Sequence, residues 1–124
     1  MRIPRILFVV PGLLAALLIP ALQSSPRPLP SGAVGMISND FAQDVVTIHV
    51  GQRLTLLNNS TVIHVIGPGR NGKVIGYAKH VPITGFHLMQ TNSVYRSPPW
   101  KTPGKYWLTC SVHPEMTLEV IVRP

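Results

Sequence analysis

The 124-residue sequence contains a single cysteine, Cys110. A disulfide within the chain is therefore excluded, because it would need a second cysteine. The thiol of Cys110 is then either buried and inert, paired with another chain, or a ligand to a metal ion. The residues that surround Cys110 in the sequence indicate which of these three alternatives applies.

Acidic residues are scarce as well, with four Asp and Glu against eleven Lys and Arg and a formal net charge of +7. If Arg2 and Arg5 are removed with an N-terminal targeting segment, nine basic and four acidic residues remain, which gives +5. The positive charge favours solubility, acidic partners or anionic surfaces. The sequence has no cluster of basic residues and no basic-aromatic motif, which argues against nucleic acid as a partner.

The N-terminal segment lacks acidic residues, and two arginines precede an uncharged apolar run over residues 6–22. This pattern predicts a secretory signal peptide or an N-terminal membrane anchor over residues 1–23. Both alternatives stay open, because the run is short for a spanning helix and no good cleavage site follows it. A Pro/Ser-rich linker is predicted over 24–33. We therefore expect an exported protein, periplasmic or extracellular, with the apolar segment as a membrane tether if it is not removed.

Residues 34–124 show neither the periodicity of an amphipathic helix nor an internal repeat. Their proline and glycine content indicates many turns, and apolar residues alternate with polar ones in several short stretches. These features predict one all-β domain, a β-sandwich or a small barrel. A loop is expected at 67–72, and residues 73–99 fit the pattern poorly. The strands are expected at 34–41, 45–50, 54–59, 61–66, 86–95, 105–110 and 117–122.

Three residues that can bind a metal, Cys110, His113 and Met116, follow one another at intervals of three in the segment between the last two predicted strands. Cys110 has the parity of Leu108, and Met116 has the parity of Leu118. Both side chains are therefore expected to enter the end of the core, with His113 on the loop between them. A thiolate, imidazoles and a weak axial thioether suit copper that cycles between two oxidation states. Zinc would more often recruit further Cys or His in the same segment.

A second imidazole has to come from another part of the chain, and His64 is the best candidate. It lies in an apolar, β-branched stretch that leads from one strand end towards the same end of the sandwich. His80 and His87 are alternatives to it, or candidates for a second metal site. His49 is predicted on the polar face of its strand. Glu115 is expected to be a solvated charge, with metal ligation as its alternative role.

This pattern resembles the cupredoxins, or blue copper proteins, and its Cys-x-x-His-x-x-Met spacing is similar to that of amicyanins. The resemblance covers about residues 34–122, with its specific motifs at His64 and at 104–116. It implies a Greek-key β-sandwich that binds one type 1 copper ion, Cu(I)/Cu(II). Many members have Asn directly after the first ligand His, where its side chain braces the ligand loop. Here that residue is Val65. The implied ligands are His64, Cys110, His113 and Met116.

The same resemblance implies one-electron transfer between exported redox partners, and the positive charge of the chain favours acidic ones. The electron exit is expected at the exposed edge of His113, within an apolar docking patch. We also expect a monomer. A copper carrier or chaperone is the alternative function, and the sequence barely separates the two. An enzyme is not expected, because multicopper oxidases need paired His-x-His segments and a binuclear copper centre needs a second cysteine.

Overall fold

The computed structural model describes residues 12, 17, 19–25 and 27–124. The predicted signal or anchor segment, residues 1–23, lies largely outside the described residues and stays a prediction. Within the described part of the chain, no helix is both long and apolar enough to cross a lipid bilayer.

The described residues form ten β-strands and no helix. The first sheet has the strand order β2-β1-β4-β8. The second has the order β3-β10-β9-β5-β6, and β7 joins it by pairing with β5. The all-β sandwich predicted from the sequence is confirmed. In chain order the strands are β1 (Ala33–Ile37), β2 (Asp40–Phe41), β3 (Val45–His49), β4 (Arg53–Asn58), β5 (His64–Arg70), β6 (Lys73–Val74), β7 (His87–Met89), β8 (Val94–Pro99), β9 (Gly104–Cys110) and β10 (His113–Arg123).

The strand order brings three strand ends to one edge of the second sheet. β9 pairs antiparallel with β5 on one side and with β10 on the other. The end of β9 therefore lies beside the beginning of β5 and the beginning of β10. These three ends are occupied by Cys110, His64 and His113, respectively. The topology thus gathers three of the predicted metal ligands.

The core between the sheets follows the alternation of side chains along the strands. Leu108 and Cys110 of β9 are fully buried, and so are Leu118 and Val120 of β10. These are the faces predicted to point inward, and Met116 is buried on the same face. Each fully buried aliphatic side chain of this kind contributes about 1.5–3 kcal/mol relative to an exposed one. The strand ends that carry the candidate ligands are therefore anchored in a packed core.

The loop predicted at 67–72 is wrong for most of its length, because β5 continues to Arg70. Gly67 pairs with Thr109 of β9, so the Gly-Pro-Gly sequence is part of a ladder. A side chain at position 67 would overlap with β6 and with the backbone of a later loop. Glycine is needed here because another part of the chain approaches closely, not because the chain turns. The turn itself is confined to 71–72, where both residues have positive φ.

Other strand boundaries also differ from the predicted ones. The predicted strand 34–41 is two strands, β1 and β2, with a turn at Ser38, which has a φ of 41°. The predicted strand 86–95 is likewise divided into β7 and β8 by a turn that contains Asn92, with a φ of 64°. β10 begins earlier than predicted, at His113, and its pairing with β9 shifts register after that residue. Both turns contain Ser and Asn, which favour turns, so the sequence carries a signal at both sites that the predicted strand bounds do not reflect.

The poorly predicted segment 73–99 contains a compact loop that belongs to the core. The N–H of Gly85 donates to the carbonyl of Gly76 across 2.6 Å, which closes the loop at its base. Val81 and Ile83, between these two glycines, are buried in the main apolar cluster. The loop therefore packs its own apolar side chains into the sandwich, as Ω-loops do.

Candidate metal centre

His64, Cys110 and His113 form a cluster in which one donor atom of each residue lies within 4.8 Å of the others. The Nδ1 atom of His113 lies 3.5 Å from the Sγ atom of Cys110, and the Nδ1 atom of His64 lies 3.9 Å from it. Both imidazoles thus turn the same nitrogen towards the sulfur. The two rings are 5.0 Å apart and tilted by 60°. His64 and Cys110 are fully buried, whereas His113 is half-buried.

The sulfur of Cys110 is held by the backbone that follows His64. The N–H of Val65 points at Sγ, at 3.4 Å, and the carbonyl of Val65 accepts from the N–H of Ser111 at 2.9 Å. An N–H that donates to a sulfur ligand stabilises negative charge on it and fixes its position. The side chain of Val65 cannot brace the ligand loop by a hydrogen bond. Its main chain nevertheless connects β5 to that loop, through its N–H to Cys110 and through its carbonyl to Ser111.

His64 is oriented by a chain of buried polar side chains. Its Nε2 atom lies 3.1 Å from the hydroxyl of Ser60, and that hydroxyl lies 2.7 Å from the Oδ1 atom of Asn58. If Nδ1 serves as the ligand atom, Nε2 carries the proton and donates to Ser60, which can then donate to Asn58. The amide of Asn58 in turn donates to the carbonyls of Val62 and Met89. This chain fixes both the ring orientation and the tautomer of His64.

Burial of its ring lowers the pKa of His64, and the neighbouring His113 lowers it further. The neutral imidazole is therefore the favoured form. A neutral imidazole has a free lone pair to offer to a metal ion, whereas a protonated one has none. The buried network and the lowered pKa act in the same direction, because both prepare His64 as a ligand.

Met116 ends the ligand segment, residues 110–116, and its backbone is held by Thr109. The hydroxyl of Thr109 donates to the carbonyl of Met116 at 2.7 Å and accepts from the N–H of Gly72 at 2.9 Å. A second threonine, Thr117, accepts from the N–H of Asn71 at 3.0 Å. The side chain of Met116 is fully buried in the core cluster that also contains Cys110. The turn after β5 is therefore attached to the residues that flank the ligand segment, Thr109 before it and Thr117 after it.

Gly72 also packs directly against the ligand segment. It has a φ of +82°, and a Cβ atom built on it would lie 2.8 Å from the Cα atom of Pro114. Only glycine allows both this backbone conformation and this approach. The Asn-Gly pair at 71–72 is a recognisable turn signal in the sequence. Its contact with the ligand segment, however, depends on the three-dimensional pairing of the strands.

The other candidate residues lie apart from the cluster. His49 is exposed at the end of β3, as predicted. His80 lies near Thr102, with its Nδ1 atom 3.4 Å from the hydroxyl, and its backbone has a φ of 67°. His87 is bonded to the carbonyl of Thr84. Among the residues that the structure describes, neither His80 nor His87 belongs to a group of potential ligands, and Glu115 is exposed.

Solved structures share this architecture. The chain is similar to a purple cupredoxin from Nitrosopumilus maritimus, with a TM-score of 0.59 and 22% identity over 73% of this chain and 97% of that one. It is also similar to amicyanin from Paracoccus versutus, with a TM-score of 0.60 and 22% identity over 79% and 86% of the two chains. The chain has the cupredoxin fold. It matches no family model and no curated protein.

The cupredoxin fold also occurs within larger proteins. A copper-containing nitrite reductase from Thermus scotoductus matches 86% of this chain, with a TM-score of 0.59 and 22% identity, but only 25% of that enzyme is covered. At these identities the likeness establishes the fold, and the function of this chain has to be argued from its site.

The donor set of this chain corresponds to that of a type 1 copper site. It combines one thiol and two imidazoles, gathered within 4.8 Å, with a buried thioether at the end of the same segment. Two imidazoles and one thiolate in a trigonal arrangement with a weak axial methionine are typical of copper that transfers electrons. Structural zinc sites are usually completed by further Cys or His. Among the described residues, no other Cys, His, Asp or Glu joins this group.

Proposed function

We propose that this protein is an exported electron carrier that binds one copper ion, Cu(I)/Cu(II), through His64, Cys110, His113 and Met116. The observation that carries the proposal is the arrangement of three donors in which both imidazoles direct Nδ1 at the sulfur. Copper bound there would supply one-electron redox chemistry. The protein itself would hold the ligands in place and exclude water.

The rigidity of the site supports electron transfer in particular. The backbone N–H of Val65 fixes Cys110, the Ser60 hydroxyl fixes His64, and the Thr109 hydroxyl fixes the backbone of Met116. Ligands that are held by such outer contacts are oriented before the metal arrives. A site that keeps one geometry suits a metal that changes its oxidation state without rearrangement.

The exposed edge of His113 is the proposed point of electron exit. His113 is half-buried, and the neighbouring Val112 is 50% exposed. Ile63, next to His64, is 52% exposed, and Leu88, which pairs with Val65 across the ladder, is 57% exposed. Exposed apolar side chains around a functional group indicate a surface for a protein partner. We propose redox proteins as these partners and a monomer as the working form.

The organisation of the chain completes the proposal. Residues 1–23 would direct export or anchor the protein, residues 24–33 would form the linker, and residues 34–124 would form the copper domain. The protein would then work in the periplasm or outside the cell, and the chemistry would be electron transfer without catalysis.

An optical and EPR study of the copper-loaded chain from Ser31 onward tests the proposal, since all ten strands lie within residues 33–123. We expect an intense visible band from charge transfer between thiolate and copper, together with reversible one-electron cycling. A Cys110→Ser variant should lose this band. Absence of the band in the unchanged chain, or its survival in the variant, would contradict the proposal. Colourless protein that binds Cu(I) and passes it to an acceptor would support a copper carrier instead.

A further inference from the structure

An open groove of about 400 Å³ lies between β9 and the segment that begins with β6. Its floor includes Lys105 and Trp107, which alternate along β9 with the buried Leu108 and therefore face away from the core. Its wall includes Ile75 and Ala78 from the segment that the sequence did not explain. The irregular segment thus gives this sandwich a surface feature that the sheet alone would not form.

The groove is rimmed by positive charge. Arg70, Lys73 and Lys105 all line it. The guanidinium of Arg70 lies over the ring of Trp107, 3.3 Å from the ring centroid. Arginine stacked on an aromatic face keeps its N–H groups free at the edge to bind a carboxylate. The Nζ atom of Lys105 is 3.7 Å from the Oε1 atom of Glu119, the one ion pair among the described residues.

The apolar residues that line the groove indicate that a ligand must also carry an apolar group. Ile75 is 56% exposed, and the ring of Trp107 is half-buried beneath Arg70. Tryptophan and arginine are enriched at the centres of protein interfaces, where they bury large areas. A small ligand would need an enclosed pocket that covers most of its surface. This groove is open along its length and so favours an extended segment of a larger partner.

We propose that the groove binds an acidic segment of a protein partner. Carboxylates of the segment would contact Arg70, Lys73 and Lys105, and an apolar side chain would cover Trp107 and Ile75. The inference rests on the proposed function only in that it takes this partner to be a redox protein. Trp107 lies three residues before Cys110, about 10 Å along the strand, and faces the opposite side of the sheet. At Trp107, a bound segment would therefore lie on the face of the sheet that points away from the metal centre.

Nuclear magnetic resonance can test the groove directly, because the chain has only two tryptophans. The probe is a peptide of alternating Glu and Leu, and its matched control has Gln in place of every Glu. It is added to ¹⁵N-labelled protein, once metal-free and once loaded with diamagnetic Cu(I). We expect a saturable shift of the indole N–H signal of Trp107. The signal of Trp100 should stay in place, because that indole is buried and bonded to Ser97.

A pair of charge reversals separates the groove from the overall charge of the protein. Lys73→Glu should weaken peptide binding about tenfold. Lys101→Glu makes the same change of charge at an exposed residue outside the groove and should leave binding nearly unchanged. Equal weakening by both variants would overturn the proposal, as would binding of the Gln peptide with the same affinity or a Trp107 signal that does not move.

The same titration distinguishes failure of the groove from failure of the copper site. Peptide binding to protein that shows no thiolate-to-copper band would support the groove and contradict only the electron-carrier function. A blue, redox-active protein whose Trp107 signal does not shift when the acidic peptide is added would overturn only the proposal that the groove binds an acidic segment.

Discussion

In the metal centre, His64 is held by side chains that precede it closely in the sequence, Asn58 and Ser60. The backbone of Met116 is instead held through Thr109, whose second contact reaches Gly72, 37 residues away. The first support is local: the N–H of Ser60 donates to the Oδ1 atom of Asn58 at 3.0 Å, as in an Asx-turn. The second exists only when β5, β9 and β10 are assembled.

Because of this difference, the two halves of the site should respond differently to substitutions. The local support acts through one histidine ring and the loop before it. The assembled support connects a hairpin turn to the ligand segment, and so it couples the axial position to the packing of the sheet. Of the four substitutions that follow, from the largest expected effect to the smallest, three separate the two supports and the fourth tests Val65.

Replacing Asn58 by Ala should cause the largest loss of stability. Asn58 is fully buried, and its amide donates to two backbone carbonyls while its Oδ1 atom accepts from the N–H of Ser60. The substitution leaves these buried groups without partners and opens a cavity, which we expect to lower the free energy of unfolding by about 3 kcal/mol. Urea denaturation of the metal-free protein measures this. The neighbouring, exposed Asn59→Ala is the matched control and should change stability by no more than about 0.5 kcal/mol.

Replacing Thr109 by Val tests the assembled support. The shape of the side chain is kept, but the carbonyl of Met116 and the N–H of Gly72 both lose their partner. We expect a loss of about 2 kcal/mol in the free energy of unfolding and an altered EPR spectrum of the copper-loaded protein. Thr109→Ser keeps the hydroxyl and should restore the EPR spectrum. If Val leaves the spectrum unchanged and Ser alters it, the methyl group and not the hydroxyl positions the ligand segment.

Replacing Ser60 by Ala removes the hydroxyl that lies 3.1 Å from Nε2 of His64, together with its contacts to Asn58 and Val62, but leaves the bonds from the Asn58 amide to the backbone in place. We expect about 1 kcal/mol of destabilisation, and a loss of copper affinity of about 10-fold or more, because the imidazole is no longer oriented. Competition with a copper chelator measures the affinity. Ser93→Ala, which removes a hydroxyl bonded to the carbonyl of Gln90 in a turn, is the control and should not change it. Equal copper affinity in both variants would show that Ser60 plays no part in ligation.

The sequence was informative where the chemistry depends on neighbours along the chain. Strand parity predicted the inward direction of Cys110 and Met116, and the three-residue spacing placed His113 beside them. His64 was inferred from its β-rich surroundings, and the pairing of β5 with β9 brings it to the sulfur. Thr109 was missed, because a hydroxyl has no preferred partner until the fold decides which backbone groups lie near it.

The same reason explains the errors in the fold. The Gly-Pro-Gly stretch at 67–69 has the composition of a turn, yet it lies in β5 because close packing excludes a side chain at Gly67. Within the segment 73–99, the stretch 76–85 lacks a periodic pattern because its buried residues, Val81 and Ile83, lie on a loop closed by a backbone hydrogen bond. Periodicity in a sequence identifies regular strands. It does not identify apolar side chains that enter the core from irregular backbone.

Val65 provides the last and smallest of these tests, because it stands where the resemblance to cupredoxins leads one to expect a bracing Asn. Its two contacts with the ligand segment are made by its N–H and its carbonyl, which every residue type except proline offers. Val65→Asn should therefore change the free energy of unfolding by less than about 0.5 kcal/mol and leave the visible band of the copper-loaded protein nearly in place. Thr109→Val should have the greater effect on the spectrum, because it removes a brace that this chain uses. If the introduced Asn shifts the band more than Thr109→Val does, the side chain after His64 determines the environment of the Cys110 sulfur. The supports at Ser60 and Thr109 would then matter less for the copper site than that side chain.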